Sequence, residues 1–422
     1  MPLELSADDR ARLDGSDGET ASLAMRIIVD MAGVTGADRL IDITSAHIDG
    51  CLYHGRAGLD FAERLVAGGG RVAVPSTLNV GYLDLLHPDL YRGDVSTAAD
   101  AKRQMDLYLQ MGCRPTWTCA PYQLPQRPAP GEHVAWAESN AIVFCNSVLG
   151  ARTDRYGDFL DICAAITGRV PNAGLHRDED RLATVVLRLD RLPDRLLRSD
   201  ALLPILGHVI GKEVGSAVPA IVGLPTDTGE DRLKALGAAA ASSGAVAMFH
   251  AVGITPEAPT LEAATGGAVP PEIQITPARL RAAREELSTA GPDGLGAVSV
   301  GTPHASLSEL ERLVGLLGRG ARVHEGVRFY VNTGRDVMTE AEHRGWIDAL
   351  DAAGVQIVTD TCTYITPIIG EVPGTVMTDS AKWAWYAPAN IGVDVVIGSL
   401  EDCVLSAMTG RVVRDESLWA DA

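Results

Sequence analysis

The sequence predicts an α/β protein assembled from several parallel strand–loop–helix units. Three observations carry that expectation. Short apolar runs at 297–300, 327–331, 355–358 and 394–397 are each followed by a polar loop, and most lead on to residues at helical spacing. Strand, loop and helix in repetition is the pattern of parallel α/β layers. The chain has 422 residues, 46% hydrophobic and 22% charged, enough for two or three domains or one large multilayer unit. Finally, polar residues cluster directly after the strands, where parallel sheets bind their ligands.

Along the chain, apolar spacing predicts a helix over 21–31, a strand over 39–43, a helix over 61–66 and a strand over 71–74. Gly68, Gly69 and Gly70 precede that strand rather than opening a helix, so they read as a helix stop and not as a phosphate cradle. Helices are predicted at 98–109, 133–149, 159–167, 202–214 and 231–241, with strands at 182–189, 218–222 and 245–249. The stretch 255–272 holds Pro256, Pro259, Pro270, Pro271 and a Gly266-Gly267 pair, and predicts a long loop or linker. Further helices are expected at 306–317, at 339–353 and from about Glu401. One catalytic core is expected over 1–422, with sub-domains at about 1–180, 181–290 and 291–422.

Thirty-six basic against fifty-five acidic residues give a net charge of -19. Such a field repels phosphate backbones and anionic lipid, which argues against nucleic-acid and membrane-surface partners. The uncharged stretch 235–256 is built from Ala, Gly and Ser and contains His250, so it reads as a buried helix and strand rather than a membrane span. No basic segment precedes an apolar run at the start, so no signal peptide is expected. With seven cysteines, an odd number, a reducing cytoplasm is the expected compartment.

Four constellations could carry chemistry. Cys362 directly follows a strand, Cys403 lies in the first turn of a helix after another strand, and Cys145 lies on or just after a helix. Strand ends of one sheet converge on one crevice, so such thiols could hold a metal, although free cysteines are more often core residues. Cys113 and Cys119 would sit ~20 Å apart on an extended strand, too far to share a metal unless the chain turns at Pro115. The segment 44–55 places Ser45, His47, Asp49 and His54 after a strand, where His47 and Asp49 could form an oriented acid–base pair or simply brace a turn. Ser76, Thr77 and Asn79 offer hydroxyls and an amide after the next strand, for a carboxylate or for helix capping. Lys382, among Trp383, Trp385 and Tyr386, could anchor an acid or act as a base, or else run past the aromatics to solvent.

Together these segments resemble the aconitase X family over roughly residues 5–413. The resemblance lies in Ala46-His47-Ile48-Asp49-Gly50-Cys51, Val74-Pro75-Ser76-Thr77-Leu78-Asn79, Thr118-Cys119-Ala120-Pro121-Tyr122 and Glu138-Ser139-Asn140-Ala141. It continues through Gly150-Ala151-Arg152-Thr153, Gly174-Leu175-His176, Thr302-Pro303-His304-Ala305-Ser306, Thr359-Asp360-Thr361-Cys362 and Ser380-Ala381-Lys382. The paired CxxC of true aconitases is missing, and Thr302 rather than a cysteine stands before His304.

The resemblance implies an aconitase-like three-layer core without the swivel domain, and an iron–sulfur cluster acting as Lewis acid in a dehydration. Its implied cluster ligands are Cys145, Cys362 and Cys403, with Cys119 next in line. The implied substrate is a small hydroxy acid, cis-3-hydroxy-L-proline, with mevalonate 5-phosphate as the alternative, for which Arg335 and Arg152 are available phosphate donors. Lys382, His47 and Asp49 are the expected catalytic residues. Ser45, His54, Ser76, Thr77, Asn79, Ser139 and Asn140 are expected to bind substrate. A separate small swivel-domain subunit is expected to complete the enzyme. A non-catalytic iron or redox sensor and a metal-free binding protein are the rivals from other classes.

Overall fold

The structure is a computed structural model that describes residues 3–291, 294–318 and 320–419. It divides into two compact units: Met1–Leu83 with Asp94–Leu182, and Asp84–Gly93 with Ala183–Ala422.

In the first unit, the helix Glu19–Thr35 buries Ala24, Met25, Ile28 and Ala32 along one face and ends at Gly36, whose left-handed φ of 69° suits a residue without a side chain. It packs against the helix Leu160–Thr167. A parallel sheet of three short strands runs in the order Ser76–Leu78, Ala46–Ile48, Ala135–Trp136. Three sequence expectations shift here. The strand expected at 71–74 lies instead at Ser76–Leu78. The polar segment after residue 43 itself contains the strand Ala46–Ile48. The helix expected over 133–149 begins as strand Ala135–Trp136 and becomes helical only at Ser139. Glu138 separates the two, its carboxylate accepting from the Ala141 N–H at 2.9 Å as an N-cap.

The second unit carries two wholly parallel sheets. One has the order His250–Ala251, Pro219–Val222, Val185–Arg188, Glu272–Gln274. The other has the order Val355–Val358, Arg328–Thr333, Leu295–Ala305, Thr375–Thr378, Val395–Ile397. The central strand runs on through Gly301–Ala305, where a loop was expected, and Thr375–Thr378 is a strand the sequence left unassigned. The expected linker at 255–272 contains the helix Leu261–Thr265, and its last residue opens the edge strand Glu272–Gln274. The expected helix over 339–353 is two, Arg335–His343 and Trp346–Ala353, parted by Gly345 at φ 72°. One core cluster joins the five-stranded sheet to its helices through Val298, Phe329, Val331, Leu310, Leu313 and Leu350. Truncating such a leucine to alanine costs about 2–5 kcal/mol.

Two helices of this unit, Leu202–Val214 and Glu230–Ser243, touch backbone to backbone. A β-carbon on Gly207 would lie 2.2 Å from the Leu236 carbonyl oxygen, and one on Gly211 would lie 2.7 Å from that of Ala240. This close contact explains the Ala/Gly-rich composition of the stretch. No helix among the described residues is long and apolar enough to cross a membrane.

Candidate functional site

In the first unit, parallel register sets the expected residues side by side: Ala46 pairs with Ser76 and His47 with Thr77. His47 Nδ1 lies 2.8 Å from Thr77 Oγ1, and burial pushes its pKa down to about 3, so the ring is neutral at pH 7. The Asn79 amide donates to the Asp49 carboxylate, while the Asn79 side-chain oxygen is buried without a hydrogen-bond partner among the described residues. Burial first, then the charges of Asp158 and Glu138, raises the Asp49 pKa well above the usual range, against the Asn79 bond. Beneath it, Asp161 accepts the backbone N–H groups of Asp49 at 2.7 Å and Gly50 at 3.0 Å. Burial still pushes Asp161 up to about 7.

The other expected substrate contacts of this unit have structural partners or stand apart. Ser76 Oγ donates to the Val74 carbonyl at 2.9 Å, and Ser139 Oγ to Glu138 at 3.2 Å. Asn140 donates to the Cys119 carbonyl at 2.9 Å and to Glu138, and accepts from the Tyr122 hydroxyl at 2.5 Å. It therefore braces the segment that carries Cys119. Ser45 is half-buried and its carbonyl accepts from the Ala135 N–H, whereas His54 is exposed. Cys145 is wholly buried among Tyr122, Val134, Trp136 and Phe144, where burial raises its thiol pKa. Arg152 is committed to Asp178 and to the His176 carbonyl.

In the second unit, the turn after Val355–Val358 carries Cys362. Asp360 holds that turn with φ at 61°, uncommon for a residue with a side chain. Arg335 grips the Asp360 carboxylate with both arms, at 2.5 and 2.6 Å, and Leu85 N–H donates to it at 3.1 Å. Asp84 takes the N–H and hydroxyl of Thr359 at 2.9 and 3.0 Å. The imidazole of His304, from the central strand, lies within 4.8 Å of the Cys362 sulfur. Its Nε2–H donates to the Thr361 carbonyl at 3.0 Å, which orients the ring. An oriented imidazole beside a buried thiol is a donor pair suited to iron or zinc. Cys403 lies instead in the apolar cluster with Leu310, Leu313 and Met377, its thiol pKa raised by burial and by the nearby Asp379 and Asp402 carboxylates.

Lys382 is 3% exposed, in the first turn of the helix Ala381–Ile391, with Nζ 6.0 Å from the centre of the Tyr364 ring. It is buried and does not run out to solvent. His304, Asp161 and Glu138 had not been singled out as site residues. For His304 the signal was present: a histidine at the end of a strand, in the segment Thr302-Pro303-His304.

Parallel sheets with histidine, cysteine, lysine and carboxylate side chains at and beyond their strands mark an α/β enzyme that acts on a small molecule. Models of the first, second and third aconitase X domains match residues 2–179, 183–285 and 295–409, and the chain belongs to the aconitase X family. It is 44% identical to cis-3-hydroxy-L-proline dehydratase of Pseudomonas aeruginosa over 98% of this chain and 72% of that protein. To the phosphomevalonate dehydratase large subunit of Methanothermobacter thermautotrophicus it is 38% identical, over 93% of this chain and 96% of that one. The crystal structure of Thermococcus kodakaraensis aconitase X in its holo form matches with a TM-score of 0.87 at 32% identity, covering 96% of this chain and 100% of that one. The two named relatives are dehydratases, that is, hydro-lyases.

Proposed function

We propose that the chain is the catalytic core of a hydro-lyase that converts cis-3-hydroxy-L-proline to Δ1-pyrroline-2-carboxylate. The observation that carries this reading is 44% identity, along 98% of the chain, to a dehydratase of that name. The arginines support it over mevalonate 5-phosphate. A phosphate substrate calls for available guanidinium groups, yet Arg335 is held by Asp360 and Arg152 by Asp178.

In the elimination, C2 loses a proton, its electron pair becomes the C2–C3 double bond, and the C3 hydroxyl leaves with a proton as water. The enamine so formed tautomerises to the imine. Asp49, its pKa raised well above the usual carboxylate range chiefly by burial, is the proposed proton donor to the departing hydroxyl. Neutral His47, steadied by Thr77, is the proposed acceptor in the same proton traffic. The buried Asn79 oxygen is an acceptor suited to the substrate's ring ammonium. Lys382 is the proposed partner of the substrate carboxylate, whose neutralisation acidifies the C2 proton.

An iron–sulfur cluster, when bound, supplies the Lewis acid that a poor hydroxide leaving group needs. Cys362, with His304 beside it, is the proposed holder within the second unit. Cys145 and Cys403, walled by apolar side chains, are proposed as core thiols rather than ligands. Because an archaeal relative is named a large subunit, a small swivel-domain subunit is the proposed partner. The cytoplasm is the proposed compartment, consistent with seven cysteines that form no disulfide among the described residues.

The test is turnover of the anaerobically purified, iron-loaded protein on both substrates, with iron counted on single Cys→Ser variants. Faster turnover of the hydroxyproline is expected, with iron lost from Cys362→Ser and kept by Cys145→Ser and Cys403→Ser. A preference for mevalonate 5-phosphate would overturn the substrate, and full iron on Cys362→Ser would overturn the ligand.

A further inference from the structure

Lys382 and Cys362 enter the proposed reaction separately, one as partner of the substrate carboxylate, the other as holder of the cluster. The residue after each one joins them. Trp383, in the first turn of the helix Ala381–Ile391, donates its indole N–H to the Thr363 hydroxyl at 3.0 Å. An indole nitrogen can only donate, so the direction of this bond is settled. Both residues are wholly buried, and a hydrogen bond shielded from solvent is costly to leave unmade.

Thr363 is also held from the five-stranded sheet. Its hydroxyl lies 2.7 Å from Ser299 Oγ on the central strand Leu295–Ala305. Its N–H donates to Asn332 Oδ1 at 3.1 Å on the neighbouring strand Arg328–Thr333. The Asn332 amide nitrogen in turn donates to the Val300 carbonyl at 2.8 Å, so turning the amide over would set donor against donor. Ser299 and Asn332 are wholly buried as well. At the helix end, Ser380 Oγ accepts the Trp383 backbone N–H at 3.1 Å. Trp383 is therefore fixed by a cap at its backbone and by Thr363 at its ring.

Buried hydroxyls and amides cost free energy unless each is bonded, and in this set each has a partner. A satisfied network of this kind makes a packed region rigid. The turn that carries Cys362 and the helix that carries Lys382 cannot shift independently without breaking one of its bonds.

We propose that Trp383 and Thr363 are positioning residues: their indole–hydroxyl bond holds Lys382 at a fixed separation from Cys362, so that a substrate's carboxylate and its leaving hydroxyl are engaged together. The proposal rests on the roles proposed above for Lys382 and Cys362. The elimination breaks bonds at neighbouring carbons, and a misplacement of ~1 Å can cost about 10²-fold in rate.

The test is Trp383→Phe, which keeps an aromatic ring and deletes the N–H, read in two ways. In the metal-free full chain, iodoacetamide labelling of each cysteine is followed by peptide mass spectrometry. Cys362 should label faster than in wild type, while Cys145 and Cys403 keep their wild-type rates. Equal acceleration of all three would show general loosening and overturn the proposal. In the iron-loaded protein, kcat for cis-3-hydroxy-L-proline should fall about tenfold or more. Inhibition by L-proline, which has the carboxylate but no leaving hydroxyl, should hold, and its loss in parallel with kcat would count against the tie. Thr363→Val should match Trp383→Phe on both readouts, and Thr363→Ser, which keeps the hydroxyl, should stay nearer wild type; this pair carries the comparison if Trp383→Phe folds poorly. The double variant Trp383→Phe/Thr363→Val should be no worse than the worse single one, since both delete the same bond, and additive losses would overturn the proposal. Unchanged labelling of Cys362 in Trp383→Phe would overturn the tie whatever the wild-type chain turns over, whereas failure of the wild-type chain on cis-3-hydroxy-L-proline would overturn the substrate reading instead.

Discussion

Lys382 shows what a single buried charge is worth. Its ammonium sits in a site 3% exposed to solvent, beside the stacked rings of Tyr364 and Tyr386. There a charge would act on the proposed substrate carboxylate with little screening. Lys382→Met keeps most of the stem and removes the charge, so kcat/KM should fall by about 10²-fold or more while the melting temperature holds. Unchanged kcat/KM would remove the lysine from the reaction. His47 makes a different prediction. Burial lowers its pKa from the ordinary 6.5 to about 3, so between those values the unfolded chain binds a proton that the folded chain refuses. Stability therefore drops as pH falls through that window, by up to about 1.4 kcal/mol per pH unit from this group. His47→Gln removes the term, so its melting temperature relative to wild type should rise steadily from pH 7 to pH 5; a constant difference would refute the assignment. Part of this site was legible in the sequence because adjacent parallel strands carry it: His47 pairs with Thr77 and lies one register step from Ser76. Asp161 was not legible. It reaches the Asp49 N–H across 112 residues, and no local spacing announces such a contact.

Among the elements, long periodic segments were readable and short ones were not. The helix Leu202–Val214 falls where its apolar spacing places it, and ten of its residues, from Leu202 to Gly211, are buried. The strand Ser76–Leu78 has only three residues, too few for any period to show, and the more apolar run just before it took the assignment. Ala135–Trp136 has two, and it was absorbed into the helical pattern that follows Glu138. The apolar spacing from 339 to 353 is continuous and conceals the break at Gly345, because a left-handed glycine interrupts the helix without disturbing the apolar stripe. At Thr359–Cys362 the sequence showed a polar cluster after a strand but not its clamp. Arg335 and Asp84 come from elsewhere in the chain to hold the turn. Cys403 reads as reactive in the sequence, a thiol in the first turn of a helix after a strand, and in the structure it packs among leucine and methionine side chains.

For the whole molecule, the comparisons bear on assembly. The chain covers 72% of the Pseudomonas aeruginosa dehydratase but 96% of an archaeal large subunit. If the proposed small subunit completes the enzyme, the iron-loaded chain purified alone should turn over cis-3-hydroxy-L-proline far more slowly than the chain co-expressed with that partner. Equal rates would show that the chain works by itself.

The glycine contact between Leu202–Val214 and Glu230–Ser243 has a reach beyond packing. Lys234, on the second helix, extends to Glu309 and to the carbonyl of His304 at 3.4 Å. A methyl group at Gly211 would act as a wedge, and the displaced helix would carry the ammonium with it, tugging on the strand that presents the imidazole. Gly211→Ala would then look like a catalytic defect although it touches no reactant. The small residues along that seam set the spacing that places Lys234 against Glu309 and the His304 carbonyl.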